Sequence, residues 1–497
     1  MGNTTVNTKK ETMHTYIKIL IGLLIMFGFP QLPPFEPITE MGMWVMGIFI
    51  GMIYLWSTVG SFWPSLLGLV MMGCIGYAGE GAAGMKAVVS GAFGLDALII
   101  VLLTMLLFGG LQYYGCCRYI ARFFLTRKIV NGRPYVFMGM FYLVCFVLAA
   151  LTSSIAALIV VWPIAVDIFA TLNLKREDKL FPLFIMGSFV SCCFGQATLP
   201  FKGATMVILS SFEQFSGEVV NPATYIIFTV TMGIVVMIPA YLAMVKFIFR
   251  PDVSKMKNVT VEQIEAEKLP PIDFRQKSYL WMLLPYGIMV LLPNLFPGST
   301  NSVITFLSTL GTLGVNAIFL VVMCIIRSPQ DGKPLMEYRQ VAAKNVSWDV
   351  FFLVAAAVYI ANALSSDITG IKDWIIMILT PVLSNAGTWM FVVLIFAIAL
   401  LLTNFGNNVA MAIVLMPIIC TFCAERGIPA MPVAVGATLM VFVAILTPSA
   451  APHASMMFAR KDLISTKEIY KYGVPCCLLT LAVYSIIAYP LLTILFG

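Results

Sequence analysis

Charge is what this chain has least of. Only 11% of its 497 residues are Asp, Glu, Lys or Arg, and histidine occurs twice. A surface so poor in charge is not that of a soluble globule of this size. No Gly-Lys-Ser/Thr phosphate loop is present, which argues against ATP drive. No polar Ser/His/Asp set suggests hydrolysis within a membrane, so an enzyme is not expected. The eleven cysteines sit almost wholly in apolar runs, among them Cys74, Cys145, Cys192, Cys193, Cys476 and Cys477. They read as small buried hydrophobes. Cys420-Thr-Phe-Cys423 has metal or redox spacing, but no second Cys/His pair accompanies it, and His14 and His453 lie far apart. No resident metal or cofactor is expected.

What the chain has in abundance is apolar sequence. Sixty per cent of residues are hydrophobic and mean hydropathy is +0.95. Runs near 14–29, 41–58, 60–78, 95–114, 135–172, 180–212, 223–248, 279–294, 303–326, 350–364, 389–424, 430–459 and 473–496 approach or exceed what a helix needs to cross a bilayer. Several are too long for one straight span and read as hairpins or broken helices. The first run follows a polar stretch with no small-residue cleavage site after it, and reads as a retained helix. The net charge of +7 is no nucleic-acid signal, because it resolves into membrane topology. With the N-terminus inside, inner segments carry Arg118, Arg122, Arg127, Lys175, Arg176, Lys179, Arg250, Lys255, Arg275, Arg327, Lys333, Arg460 and Lys461 among others. Outer segments carry only Lys86, Lys372 and Arg426. A multi-pass protein of the cell (cytoplasmic) membrane with a cytoplasmic N-terminus is expected, its surroundings a lipid bilayer and no nucleic acid.

A polar interruption appears twice. LTSSIAALIVVWPIA (151–165) carries Ser153-Ser154 about ten residues before Pro163. LTNFGNNVAMAIVLMPI (402–418) carries Asn407-Asn408 at the same distance before Pro417. Polar residues deep in apolar sequence are costly in lipid unless they face a partner or a cavity. The polar stretch 249–278 divides the chain, and the halves align around it. Asp96 to Pro163 is 67 residues; Asp349 to Pro417 is 68. Each half continues with an amphipathic segment (116–128 and 371–383) that reads as interfacial. Then come the run with the polar pair and another broken run. The charge map makes the first hairpin, 135–172, enter from the cytoplasm and the second, 389–424, from outside. The halves are thus expected to be inverted repeats. The division is 1–94 as N-terminal scaffold, 95–248 as first repeat, 249–278 as cytoplasmic linker and 279–497 as second repeat. The fold class expected is an all-α polytopic membrane protein with re-entrant hairpins and broken helices, of the elevator type.

With these residues in view, the sequence resembles the divalent anion/sodium symporter family of the wider ion-transporter superfamily, over about 95–210 and 349–497. That family carries Ser-Asn-Thr at each hairpin tip, ten residues before a Leu-Pro, and a Thr-Pro-Pro-Asn-like loop in the following broken helix. Here Ser153-Ser154-Ile155 and Asn407-Asn408-Val409 stand at the tips. GQATLPFKGAT (195–205) and LTPSAAPHA (446–454) stand at the loops. Pro448 and Pro452 survive, and His453 replaces a proline. Ile155 and Val409 cannot donate hydrogen bonds, which favours an anion with fewer polar groups or a bulkier apolar body.

The resemblance implies a secondary active transporter of a small organic anion, a di- or other carboxylate. It implies transported sodium, an elevator motion, and a homodimer formed through the scaffold, taken as 1–94, 223–248 and 279–326. Substrate contacts are expected from Ser153, Ser154, Asn407, Asn408, Thr198 and Thr447 at the matched tips and loops, and from Lys202 and His453, which depart from the family pattern. Ion coupling falls to Ser153, Gly195, Asn408, Pro448 and Ala450. Thr403 and Asn404 would support the second tip. Thr198 and Thr447 supply hydroxyls or cap half-helices. His453 binds substrate, carries a coupling proton, or sits solvated near the inner mouth. Lys202 is the one basic residue near the middle of a span. Its ammonium replaces a sodium ion, pairs with a substrate carboxylate, or snorkels or pairs with Asp167. Fewer sodium ions, or protons, would then drive transport. Asp96 and Asp349 begin helices, where N-capping is expected. A sodium/proton antiporter of the same superfamily is the alternative, and would want a mid-span acid. A non-transporting receptor would leave the paired tips unexplained.

Overall fold

The computed structural model describes residues 2–127, 129, 131–258, 269–296, 298–364, 366–374, 377–378, 387–448 and 450–497, with backbone alone for 2–12, 97, 258 and 405. Among the described residues the chain is helical with no strand; Arg327 and Pro334 form one isolated bridge. Nine helices there are long and apolar enough to cross a membrane. Two bent pairs, Gly81–Phe93 with Leu98–Tyr113 and Tyr338–Asn345 with Trp348–Leu364, pass the same test together. The all-α polytopic architecture expected from the sequence is therefore the one observed.

Polar residues set the helix starts. Asn221 accepts from the amides of Ala223 and Thr224 ahead of the helix Pro222–Val230. Asp273 with Gln276, and Ser465 with Glu468, form reciprocal capping boxes. The first of these starts the helix Phe274–Leu295 inside the stretch read as linker, so the linker ends earlier than 278. Its residues 259–268 lie outside the described residues, as do Lys128, Ser449 and most of the expected interfacial segment 371–383. The first of the two segments expected to be interfacial forms the helix Cys116–Leu125.

Both long apolar runs are helical hairpins. Pro134–Leu151 and Ser154–Thr171 form the first, with Pro163 inside the second arm. Thr388–Phe405 and Asn408–Arg426 form the second, with Pro417 at the matching place. The next run of each half is broken. Leu180–Gln196 unwinds over 197–202 before Gly203–Ser216, and Ala430–Val441 unwinds over 442–451 before Pro452–Ala459. The first half of each broken helix packs on its own hairpin. The second half crosses over: Gly203–Ser216 lies on the second hairpin's Asn408–Arg426, and Pro452–Ala459 on the first hairpin's Ser154–Thr171.

These elements share one core, built on Trp162, Phe137, Phe141, Phe169, Phe184 and Phe189 from the first half and Phe391, Phe396, Phe422 and Tyr484 from the second. In lipid, such contacts hold helices by close fit and by a few polar bonds rather than by water exclusion. One such bond joins the Trp162 indole, which donates to Ser188 Oγ at 3.0 Å. Two smaller cores flank the large one. The N-terminal helices pack on Trp348–Leu364, and Phe274–Leu295 with Ser302–Ile325 pack on Asp96–Tyr113.

Two expectations change. The run 223–248 was grouped with the scaffold, yet Tyr225, Phe228, Met232, Tyr241 and Val245 are buried in the core of the hairpins. Asp349 does cap a helix, but not its own: its carboxylate accepts from the Phe62 amide at 3.1 Å, at the start of Phe62–Cys74. Asp96 lies in the first turn of Asp96–Tyr113 and makes no such cap.

Candidate functional site

The second tip is a fastened loop. Asn404, in the last turn of Thr388–Phe405, uses its whole side-chain hydrogen-bonding capacity. Its Nδ2 donates to the carbonyls of Leu400 at 2.7 Å and Val443 at 3.1 Å. Its Oδ1 accepts from the amides of Ile445 at 2.8 Å and Leu446 at 2.7 Å. Thr447 donates its hydroxyl to the Asn404 carbonyl, and Thr403 donates to the Val441 carbonyl. An unwound stretch inside apolar surroundings needs its backbone groups satisfied, and Asn404 does this for three of them. The tip residues complete the join, with the Asn408 amide donating to the Ala450 carbonyl at 3.2 Å.

Past that join, two donors are left over. Asn407 Oδ1 accepts from the amides of Val409 at 3.1 Å and Ala410 at 3.3 Å. Asn408 Oδ1 accepts from the Val409 amide at 2.9 Å. Those amides can only donate, so they fix which end of each side chain is oxygen and leave both NH₂ groups as donors. Among the described residues neither Nδ2 has a hydrogen-bond partner, although Asn408 is only 6% exposed. The helix behind them presents the positive end of its dipole at the same tip.

The first tip is built on the same plan with different chemistry. Ser153 caps Ser154–Thr171 by accepting from the Ala156 amide at 3.2 Å, and its own O–H stays available. Ser154 gives its single hydroxyl proton to the Cys192 carbonyl at 3.0 Å, so it fastens the tip to the broken helix. Gly195 lets the two backbones meet: a Cβ there would lie 2.2 Å from the Phe146 carbonyl oxygen. Thr198 donates to Phe194 O at 3.1 Å at the end of Leu180–Gln196. Tyr225 holds the unwound stretch from outside, donating to the Ala197 carbonyl at 2.9 Å, while Thr229 beside it gives its one hydroxyl proton back to the Tyr225 carbonyl at 2.9 Å.

Lys202 ends that stretch as the residue before Gly203–Ser216. Its Nζ donates to the Ala150 carbonyl at 2.6 Å and lies 5.3 Å from the centre of the Phe108 ring. It does not pair with Asp167. That acid lines a cavity of about 200 Å³ with Arg118, Arg122 and Pro163, well along the hairpin arm. His453 is buried 3% exposed against Phe189, with Nε2 3.6 Å from Cys193 Sγ, which removes the reading of a solvated residue at the inner mouth. Pro448 and Ala450 lie on the unwound stretch, where the Pro448 carbonyl accepts from the Ser455 hydroxyl. Sequence reasoning gave Asn404 only a supporting part and had no view of Tyr225, Thr229 or the Ala150 carbonyl. Asn404 alone carried a signal, as an amide in lipid beside the tip.

Comparison with known proteins gives a consistent result. A family model described as citrate transporter matches residues 44–443. The Na(+)/citrate cotransporter of Rattus norvegicus is 23% identical over 330 residues, which are 57% of this chain and 56% of that protein. The sodium-dependent dicarboxylate transporter SdcS of Staphylococcus saprophyticus is 21% identical over 512 residues, 97% of this chain and 93% of that one. The chain thus spans about half the length of the rat protein and nearly all of the bacterial one. Among solved structures, the YdaH transporter of Alcanivorax borkumensis superposes with a TM-score of 0.55 over 92% of this chain and 99% of its own, at 14% identity, a likeness of fold.

Proposed function

The chain belongs to the citrate transporter family, as a divergent member of the divalent anion/sodium symporters, and from that premise we propose that it is a secondary active transporter of a carboxylate. The observation that carries the proposal is the pair of Nδ2 donors on Asn407 and Asn408 left without a partner among the described residues, set at a helix N-terminus on a loop fastened by Asn404. Such donors suit a carboxylate, which only accepts. Ser153 adds a hydroxyl donor from the first tip. Ser154, Thr198, Gly195 and Thr447 hold the tips in shape. Pro448 and Ala450 carry carbonyls of the kind that hold sodium, which is cargo here.

In this reading the hairpins are re-entrant and the halves inverted. The crossed arrangement of the two broken helices supports that symmetry. The N-terminus is cytoplasmic. In support, the basic segments touch one another: Arg176 pairs with Glu468 through two hydrogen bonds, Lys255 with Asp178 at 3.3 Å, and Arg275 with Asp331 at 3.0 Å. The elevator motion and the homodimer follow the family. The antiporter alternative wants an acid near the tips. Asp167 is fourteen residues past Ser153, about 20 Å along the helix at 1.5 Å per residue.

Thermal unfolding of the purified protein with citrate or succinate, in sodium and in potassium buffers, tests the proposal. A carboxylate-dependent rise in melting temperature that is larger in sodium is expected. Absence of stabilisation by any carboxylate, together with sodium/proton exchange in vesicles, would overturn it.

A further inference from the structure

The two tips differ in what answers one backbone carbonyl. Pro163 and Pro417 are 254 residues apart, and the same offset carries Ala150 onto Asn404. Both residues lie in the last turn of a hairpin's first arm, where carbonyls have no helical partner and the helix dipole is negative. At the second tip the Asn404 carbonyl takes a neutral hydroxyl from Thr447. At the first tip the Ala150 carbonyl takes the Lys202 ammonium at 2.6 Å. Phe108 offers its ring face to the same ammonium, and no carboxylate pairs with it among the described residues. A charge at this depth persists only where something compensates it. A carbonyl at the negative end of a helix and an aromatic face are the surroundings of a bound cation.

We propose that Lys202 is a resident cation of the first tip. Its ammonium occupies the place of a coupling ion, so that sodium is taken up at the second tip alone. This rests on the carboxylate-transporter reading above and adds to it a coupling asymmetry. A tethered cation moves with the protein in both directions and is never released. The first tip's charge is then the same at any sodium concentration, and only the second tip responds to sodium. The second tip offers no basic side chain of its own at Thr447, Pro448 or Ala450.

The test is sodium titration of carboxylate uptake and of carboxylate-induced thermal stabilisation, on the full chain in proteoliposomes and in detergent. Wild type, Lys202→Arg, Lys202→Met and Lys202→Gln are compared. Wild type and Lys202→Arg are expected to give hyperbolic sodium curves. Lys202→Met and Lys202→Gln open the first tip. They are expected to need more sodium, to give sigmoidal curves, and to regain carboxylate stabilisation only at high sodium. Two neutral variants guard against one that fails to fold. Neutral variants with the wild-type sodium curve would overturn the proposal, as would a sigmoidal curve in wild type that the variants leave unchanged. Loss of all carboxylate stabilisation in wild type would instead overturn the transporter reading itself.

Discussion

Replacing Asn404 by leucine is the sharpest perturbation this structure offers, because the volume is nearly kept while the bonds are lost. The change orphans the Ile445 and Leu446 amides and the Val443 carbonyl, the first and last in the core and Leu446 half-buried beside it. The fourth bond, to the Leu400 carbonyl one turn back, matters less, since that carbonyl belongs to a continuous helix. A buried polar group left without a partner costs about 1–3 kcal/mol, so three together cost at least about 3 kcal/mol. Asn404→Asp separates the donor half of the amide from the acceptor half. An aspartate still accepts from the two amides but sets an oxygen against the carbonyls of Leu400 and Val443, in surroundings that penalise charge. It is therefore expected to be at least as damaging as leucine, despite its shape. Thr438→Val is the control, since Thr438 bonds only back to Ala434 on its own helix. Thermal unfolding in detergent, followed by intrinsic fluorescence, should rank Thr438→Val near wild type and both Asn404 variants well below. An Asn404→Asp protein that melts with the wild type would refute the assignment of Nδ2 as donor, and with it the account of how the 442–451 stretch is held.

Three further outcomes follow from the geometry. Asn408→Asp keeps an oxygen to accept from the Val409 amide, so the fold should hold. It replaces a donor by a charge that repels a carboxylate; with hydrogen bonds to charged groups at about 1.5–3 kcal/mol, uptake should fall about tenfold or more, in a protein that still folds but melts lower because the charge is buried. Gly195→Ala drives a Cβ to 2.2 Å from the Phe146 carbonyl oxygen, which is backbone and cannot step aside. Overpacking of this kind costs about 1–3 kcal/mol or more, measurable as a lower melting temperature. Asp349→Ala removes the cap on Phe62–Cys74; a lost cap costs about 0.5–2 kcal/mol, and Asp349→Asn, which can still accept, should recover most of the lost thermal stability.

How far the sequence could be read divides along physical lines. Runs of apolar residues show where helices lie, because lipid demands internally bonded backbone and permits little else. The polar pairs marked the hairpin tips for the same reason. Ser153 and Asn407 do stand at helix starts, with Pro163 and Pro417 inside the arms that follow. What stayed hidden involves backbone acceptors and distant partners. Ala150 contributes a carbonyl to Lys202, and nothing in an alanine announces that. Asp349 begins a helix and reads as its cap, yet its carboxylate caps the start of Phe62–Cys74, 287 residues away in sequence. Tyr225 looked like one more apolar residue of a span, and only the fold brings its hydroxyl to Ala197.

The crossed seating of the two broken helices has a mechanical consequence. Each half of the protein grips the other's hairpin, in the manner of clasped hands. Neither hairpin can be displaced far without taking the opposite half along, which ties the first and second tips to each other. Cutting the chain between the halves should leave two fragments that stay joined through this clasp.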